Sequence, residues 1–177
     1  LITGLGLSGT VGQAAWRADL TWTDSRSGQD FFTAVANLDR SWVWGQKNWY
    51  GLVEVYYNGL GEPDPEDAVL NQDLMQRVRR GEVFVLAEIY LAAAAEVELT
   101  PLVRLSSTGI VNTDDGSCLV QPTLRWSLAT DLELISGGTV HAGPAGTEFG
   151  GFDLPVPGGD ACIAPPDSFF AWLTAYF

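Results

Sequence analysis

The last ten residues read Ser168-Phe169-Phe170-Ala171-Trp172-Leu173-Thr174-Ala175-Tyr176-Phe177. In an extended segment successive side chains point to opposite sides, so Phe169, Ala171, Leu173, Ala175 and Phe177 share one face. That face is wholly apolar and runs to the final residue. Many soluble domains instead end in a frayed polar tail. If this strand belongs to a sheet with one apolar side, the segments before it must keep the same parity.

They do. From Gly12 to Thr23 the even positions read Gly12, Ala14, Trp16, Ala18, Leu20, Trp22, and the odd ones carry Gln13, Arg17, Asp19, Thr21 and Thr23. After the turn-rich stretch 24–29, Phe32, Ala34, Ala36 and Leu38 alternate with Thr33, Val35, Asn37 and Asp39. A turn at Gly45-Gln-Lys-Asn48 leads to Trp49, Gly51, Val53, Val55 and Tyr57 on one side, with Tyr50, Glu54, Tyr56 and Asn58 on the other. Residues 59–81 break the period with Gly, Pro and acids and read as a long loop. Within it Leu70, Leu74 and Val78 recur at four-residue spacing and predict a short helix over 67–80. Alternation resumes over Val83–Leu91. Ala92–Ala95 favour helix, which makes a single amphipathic helix over 82–99 the competing reading. Two strands around an alanine turn are preferred, because Val97, Leu99, Pro101, Val103 and Leu105 alternate directly afterwards. A hairpin turn at Asp114-Asp-Gly-Ser117, a strand from Val120 to Leu128, a turn at 129–131, a strand over 132–142, a loop over 143–167 and the closing strand complete a tally of eight strands.

Composition narrows the function. The chain has 177 residues, a formal charge of −13, a mean hydropathy of +0.09 and no run of eighteen uncharged apolar residues, so a helical membrane span is excluded. Strands that bury every second side chain in lipid escape that test. No basic patch exists to neutralise a phosphate backbone, which argues against nucleic acid as a partner. Trp22, Trp42, Trp44, Trp49, Tyr57 and Trp126 gather near strand ends on the apolar parity, like the girdles at the two interfaces of a bilayer. The polar parity holds Arg17, Asp19, Asp39, Glu54, Glu88, Glu98, Arg104, Arg125 and Glu133 in mid-strand. A solvated sheet face and a polar barrel lumen would both accept these charges. Arg40 has apolar parity and sits toward a strand end, where its head group can snorkel. Pro101 and Pro122 each remove a ladder hydrogen bond and fit their strands poorly.

The closing strand resembles that of Gram-negative outer-membrane β-barrels, in which the terminal Phe belongs to the signal read by the insertion machinery. On that resemblance Phe169, Leu173 and Phe177 are the insertion signal. The runs Glu54–Gly61 and Gly143–Gly150, with Pro101-Leu102, Asp115-Gly-Ser117 and Pro122, are similar to the C-terminal half of larger porin-like proteins. The resemblance implies a C-terminus on the periplasmic side. The gaps 24–29, 59–81, 112–117 and 143–167 then face outward and 45–48, 92–95 and 129–131 inward, in keeping with long external loops and short periplasmic turns.

The expectation is therefore an all-β fold, a single domain over 1–177. It would be an antiparallel up-and-down transmembrane β-barrel of about eight strands, with residues 1–10 the tail of an upstream strand and 59–81 and 143–167 the long external loops. The expected place is the Gram-negative outer membrane, with the lipid bilayer, the insertion machinery and small polar solutes as partners and passive porin-like transport as the function. A complete eight-stranded barrel with a filled interior, serving as a structural or adhesive anchor, is the alternative; a soluble lipocalin-like binder is the third reading. No catalytic, cofactor-binding or metal residues are assigned. The one His, His141, has no recognisable catalytic motif around it, and the acids Glu62, Asp64, Glu66, Asp67 and Asp73 lack the spacing of a calcium loop. Cys118 and Cys162 both map to the external side, where a disulfide would pin the last long loop; two unpaired thiols are the other possibility.

Overall fold

Apolar and polar residues that alternate over ten positions specify register strongly, because a slip of one residue would turn every side chain to the wrong face. The computed structural model of the chain describes residues 1–25, 28–156 and 159–176. Its strands are β1 (Ile2–Val11), β2 (Ala14–Thr23), β3 (Phe31–Trp44) and β4 (Lys47–Asn58). After the helices α1 (Pro65–Leu70) and α2 (Gln72–Arg79) come β5 (Ile89–Thr100), β6 (Val103–Asn112), β7 (Cys118–Ala129) and β8 (Leu132–Ala142). A short hairpin of β9 (Phe152–Val156) and β10 (Gly159–Ile163) precedes β11 (Ser168–Ala175). Nine strands form one antiparallel sheet in the order β1-β2-β3-β4-β5-β6-β7-β8-β11, and β9–β10 pair only with each other. Among the described residues the large sheet is open, with β1 and β11 as its edges.

The two ends of the sheet are built differently. At one end four two-residue turns join β1–β2, β3–β4, β5–β6 and β7–β8. Gly45 and Gln46 both have positive φ, the requirement of a type I′ hairpin. At the other end lie the connections 24–30, 59–88, 113–117 and 143–167.

Several sequence expectations are corrected. Residues Ile2–Val11 add a strand to the eight expected, β1, paired along its length with β2 from Ile2↔Thr23 to Val11↔Ala14. Ala92–Ala95 are not a turn. They lie in mid-strand, paired with Glu54, Val53, Leu52 and Gly51 on one side and β6 on the other. The turn falls instead at Pro101-Leu102, where a fixed φ and a missing N–H suit the bend. A register shift between Glu98 and Thr100 absorbs one residue as the chain enters it. Pro122 lies where the β7–β8 ladder skips from Val120↔Val140 to Thr123↔Gly137, so its absent donor falls in a gap in that ladder. The predicted single helix over 67–80 is two helices broken at Asn71, which ends α1 and caps α2 by accepting from the Leu74 N–H at 3.1 Å. Asp64 caps α1 and Pro65 starts it. Leu74 is fully buried while Leu70 points outward, because the break rotates the two apart.

Val83–Glu88 form no strand either. They pack with the helices over the loop end, where Phe31, Leu60, Ala68, Leu74 and Val83 make a small apolar cluster supported by Val78, Val85 and Leu86. The Arg77 guanidinium lies 4.7 Å from the centre of the Phe31 ring, which ties α2 to β3.

Candidate functional site

Directly paired residues of an antiparallel sheet share a face, so the register defines two faces without ambiguity. One row across the sheet runs Gly9, Trp16, Leu38, Val53, Ala93, Gly109, Val120, Val140. The same face carries Leu5, Leu20, Val55, Leu91, Leu105, Leu134, Phe169 and Leu173, and most of it is bare: Leu5 is 59% exposed, Val53 55% and Phe169 81%. Its two charged residues, Arg40 and Lys47, reach to the turn end, where Arg40 donates to Gln13 Oε1 at 2.7 Å and Lys47 to the Leu99 carbonyl. A depression of about 630 Å³ near mid-height is lined mainly by apolar residues, among them Ala36, Leu38, Val53, Val55, Leu91 and Val111, with Asn37 and Glu54 also bordering it.

All six aromatic residues singled out from the sequence lie on this apolar face. Trp42, Trp44, Trp49 and Trp126 stand toward the turn end, with Trp42 stacked on Trp49 at 6.3 Å and Trp44 5.9 Å from Trp49. Trp22 and Tyr57 stand toward the loop end. Sequence reading left Phe32 out of that row; it pairs with Trp22 and lies 4.9 Å from the Tyr57 ring. Trp16, also left out, lies toward the turn end with its ring so close over Gly9 that a Cβ there would meet it at 2.9 Å.

The opposite face is polar. Arg17 donates to Asp39 at 2.8 Å and to Asn37 at 3.5 Å, and Asn37 donates to Glu54 at 3.2 Å, so β2, β3 and β4 share one chain of contacts. Arg104 and Arg125 sit directly across from each other on β6 and β7. That like-charge pair is relieved by Glu96, 4.0 Å from Arg104, and Glu133, 3.7 Å from Arg125. Glu98 accepts from Asn48 at 2.6 Å. Asp19 faces Gly6 and Val35 and forms no ion pair among the described residues. Arg104 borders adjoining grooves of about 440, 240 and 120 Å³ at the turn end. Two differences from the sequence reading stand out. Glu88 lies outside the strands, its N–H held by Asp114 at 3.0 Å. Glu96, absent from the predicted set, joins it, and its parity with Glu98 would have revealed it.

At the loop end this polar face is covered. Glu148, in the 143–151 segment, is buried and receives three donors: the Tyr90 hydroxyl at 2.5 Å, Asn112 Nδ2 at 2.9 Å and the Leu86 N–H at 3.1 Å. Its own N–H donates to Asp115 at 2.7 Å. Through its carboxylate and its N–H, this one residue ties together β5, β6, the 59–88 loop, the 113–117 turn and the last long loop. Burial pushes its pKa up, against the three donors that favour the charged form, and the nearby Asp115 carboxylate adds to the rise.

His141 lies beside this cap. Its N–H donates to Asp167 at 2.9 Å, its Nδ1 is 3.4 Å from the same oxygen, and its ring stacks on Phe149. The acids Glu62, Asp64 and Asp73 serve loop structure, receiving Asn71 Nδ2, the Glu66 N–H and the Gln29 N–H respectively. The expected disulfide is absent: both Cys118 and Cys162 are free thiols. Cys118 stands on the apolar face of the large sheet, whereas Cys162 belongs to the separate β9–β10 hairpin, opposite Asp153. Lost solvation and the Asp153 carboxylate raise the Cys162 pKa. Phe169 and Leu173 lie on the apolar face of β11, while Phe177 is outside the described residues.

No family model, curated protein or solved structure matches the chain.

Proposed function

We propose that the chain forms part of the wall of an outer-membrane β-barrel. Its apolar face meets lipid, and its polar face lines a water-filled interior through which small polar solutes pass passively, in the manner of a porin. The observation that carries this reading is the bare apolar face, continuous over nine strands and edged by aromatic residues at both ends. Phe32 and Trp42 are ten residues apart on β3. That is about 33 Å along a strand, or about 25 Å of membrane height at a tilt of roughly 40°, which matches the apolar band of such barrels. The reach of Arg40 and Lys47 toward the turn end gives both cations a way out of hydrocarbon.

The soluble binding-barrel reading requires the reverse arrangement, with apolar side chains inside and covered by loops. Here the loops cover the polar face. The proposal places the two-residue turns in the periplasm and the helices, the β9–β10 hairpin and Glu148 outside. It gives Phe169, Leu173 and Phe177 to recognition by the insertion machinery, and it assigns no catalysis, cofactor or metal.

Purification tests it. Solubility only in detergent, with gel migration that shifts on heating, supports a membrane barrel, and a monodisperse detergent-free solution overturns it. Planar-bilayer recording on the full-length gene product then separates a pore, which conducts in discrete steps, from a filled barrel, which does not.

A further inference from the structure

The free edges of the sheet carry information about what completes it. The Leu1 amino group donates to the Asp24 carbonyl and the Asp24 N–H donates back to the Leu1 carbonyl across β1–β2, so Leu1 is a hydrogen-bonded position and the alternation continues from it. The even-numbered residues of β1, from Ile2 to Thr10, therefore aim their backbone groups away from the sheet. On β11 the Tyr176 N–H bonds to the Asp131 carbonyl, so the odd-numbered residues from Phe169 to Ala175 aim theirs away. Bare backbone groups of this kind cannot stand in hydrocarbon, where each unsatisfied one costs several kcal/mol.

The direction of the two edges limits what can pair with them. β1 runs from the loop end to the turn end, since Ile2 pairs with Thr23 and Val11 with Ala14. β11 runs the same way, since Ser168 pairs with Thr139 and Ala175 with Leu132. Because nine is odd, joining β1 to β11 of the same chain would make one parallel seam in an otherwise antiparallel sheet. A second copy in the same membrane orientation offers no escape, because its β1 also runs parallel to β11. Only an odd number of intervening strands makes every seam antiparallel. It also makes the total even, as in single-chain bacterial barrels.

We infer that the sheet is completed between β1 and β11 by an odd number of further amphipathic strands of the same polypeptide. Each would present apolar residues on the side of Leu5 and Leu173 and polar residues on the side of Ser8 and Thr174. The β1 edge is suited to this. Its residues with outward backbone groups include Gly4, Gly6 and Ser8, whose small side chains leave the polar side of the seam open.

This inference rests on the barrel-wall reading, and its test is chosen to fail separately. The protein is taken from its native membrane, its intact mass is measured, and amide exchange is followed in detergent. The expected result is a mass above 19.1 kDa, with the outward amides of β1 and β11 as protected as their inward neighbours. A mass of 19.1 kDa overturns the inference, and so does loss of protection confined to the outward set. Cysteine pairs give the third reading. With Cys118→Ser and Cys162→Ser in place, Gly6→Cys is combined in turn with Phe170→Cys, Trp172→Cys and Thr174→Cys. No disulfide is expected, and one formed either within a chain or between copies shows a direct β1–β11 seam and overturns the inference. Failure of the membrane reading itself would appear elsewhere, as solubility without detergent.

Discussion

Asn37 and Leu38 are neighbours on β3 with the same backbone geometry, yet they belong to two different environments. Asn37 bridges Arg17 and Glu54 on the polar face, while Leu38 stands 41% exposed on the bare apolar one. The contrast shows that parity, and not strand composition, assigns each residue its surroundings: a strand that looks half hydrophobic is hydrophobic on one side along its middle, with Arg40 on that side only toward the turn end. The largest expected effect tests this directly. Leu38→Arg should cost about 2–4 kcal/mol of folding stability in lipid, whereas Asn37→Arg, which only disturbs the Arg17–Glu54 bridge and sets a second cation across from Arg17, should cost no more than about 1 kcal/mol. Urea-dependent refolding into vesicles, read by tryptophan fluorescence, measures both. Equal costs would show that the faces do not meet different solvents.

The polar face is itself divided, solvated toward the turn end and sealed at the loop end by Glu148. Glu148→Ala would strand the Tyr90 hydroxyl proton and Asn112 Nδ2 in a buried site and leave the Leu86 N–H only its bond to the Tyr90 oxygen. It should destabilise the cap by about 1–3 kcal/mol, seen as faster proteolysis within 59–88 and 143–151 without loss of the sheet. The raised pKa gives this site a pH dependence of definite sign. A carboxyl whose folded pKa lies above its unfolded value contributes stability that is complete below the unfolded pKa, about 4.3. That contribution is lost as pH rises through the folded value. Cleavage of the cap loops should therefore quicken as pH rises above about 4.3 and through the raised pKa of Glu148, and Glu148→Gln should flatten that slope. A slope of the opposite sign would mean that the three donors outweigh burial.

The sheet was legible because periodicity carries it, and the cap was not because nothing periodic does. Parity placed Val53 and Glu54 on their proper faces, and the polar alternation of Arg104 and Arg125 was visible directly. Where local propensity competed with pattern, propensity misled. Ala92–Ala95 favour a turn or helix in isolation, but between β4 and β6 they extend, since ladder hydrogen bonds from both sides outweigh a preference worth a few tenths of a kcal/mol per residue. Pro101 was the better signal for the turn. With the turn there, the strand begins only at Ile89, which leaves Glu88 outside it. Glu148 could not be found at all, because its partners come from positions 86, 90, 112 and 115 and meet only once the loops have folded over the sheet.

The aromatic rows offer a smaller test of the two-face contrast. Trp42 and Trp49 stack on the apolar face at the turn end, whereas Phe170 and Trp172 lie 4.9 Å apart on the polar face. A double-mutant cycle on Trp42→Ala and Trp49→Ala should give a coupling of about 0.5–1.5 kcal/mol. Beyond that coupling, both substitutions should weaken partitioning into vesicles, since aromatic rings at the headgroup level anchor a barrel. Phe170→Ala should leave partitioning unchanged. A like effect from Phe170 would place the polar face against lipid too.

The smallest effect carries the most specific meaning for the interior. Arg17 and Asp39 are 2.8 Å apart, but the Arg17 side chain is 52% exposed. A pair in contact with water should couple by no more than about 1 kcal/mol in the cycle Arg17→Ala, Asp39→Ala, and the coupling should shrink as salt is raised. A pair sealed in a dry interior behaves differently, because removing one partner strands the other charge and costs about 3–5 kcal/mol whatever the salt. The magnitude and salt response of this one contact therefore report on the solvent at the polar face. Weak and screened coupling is what a water-lined wall requires, and strong, salt-indifferent coupling would make the same residues the core of a filled barrel.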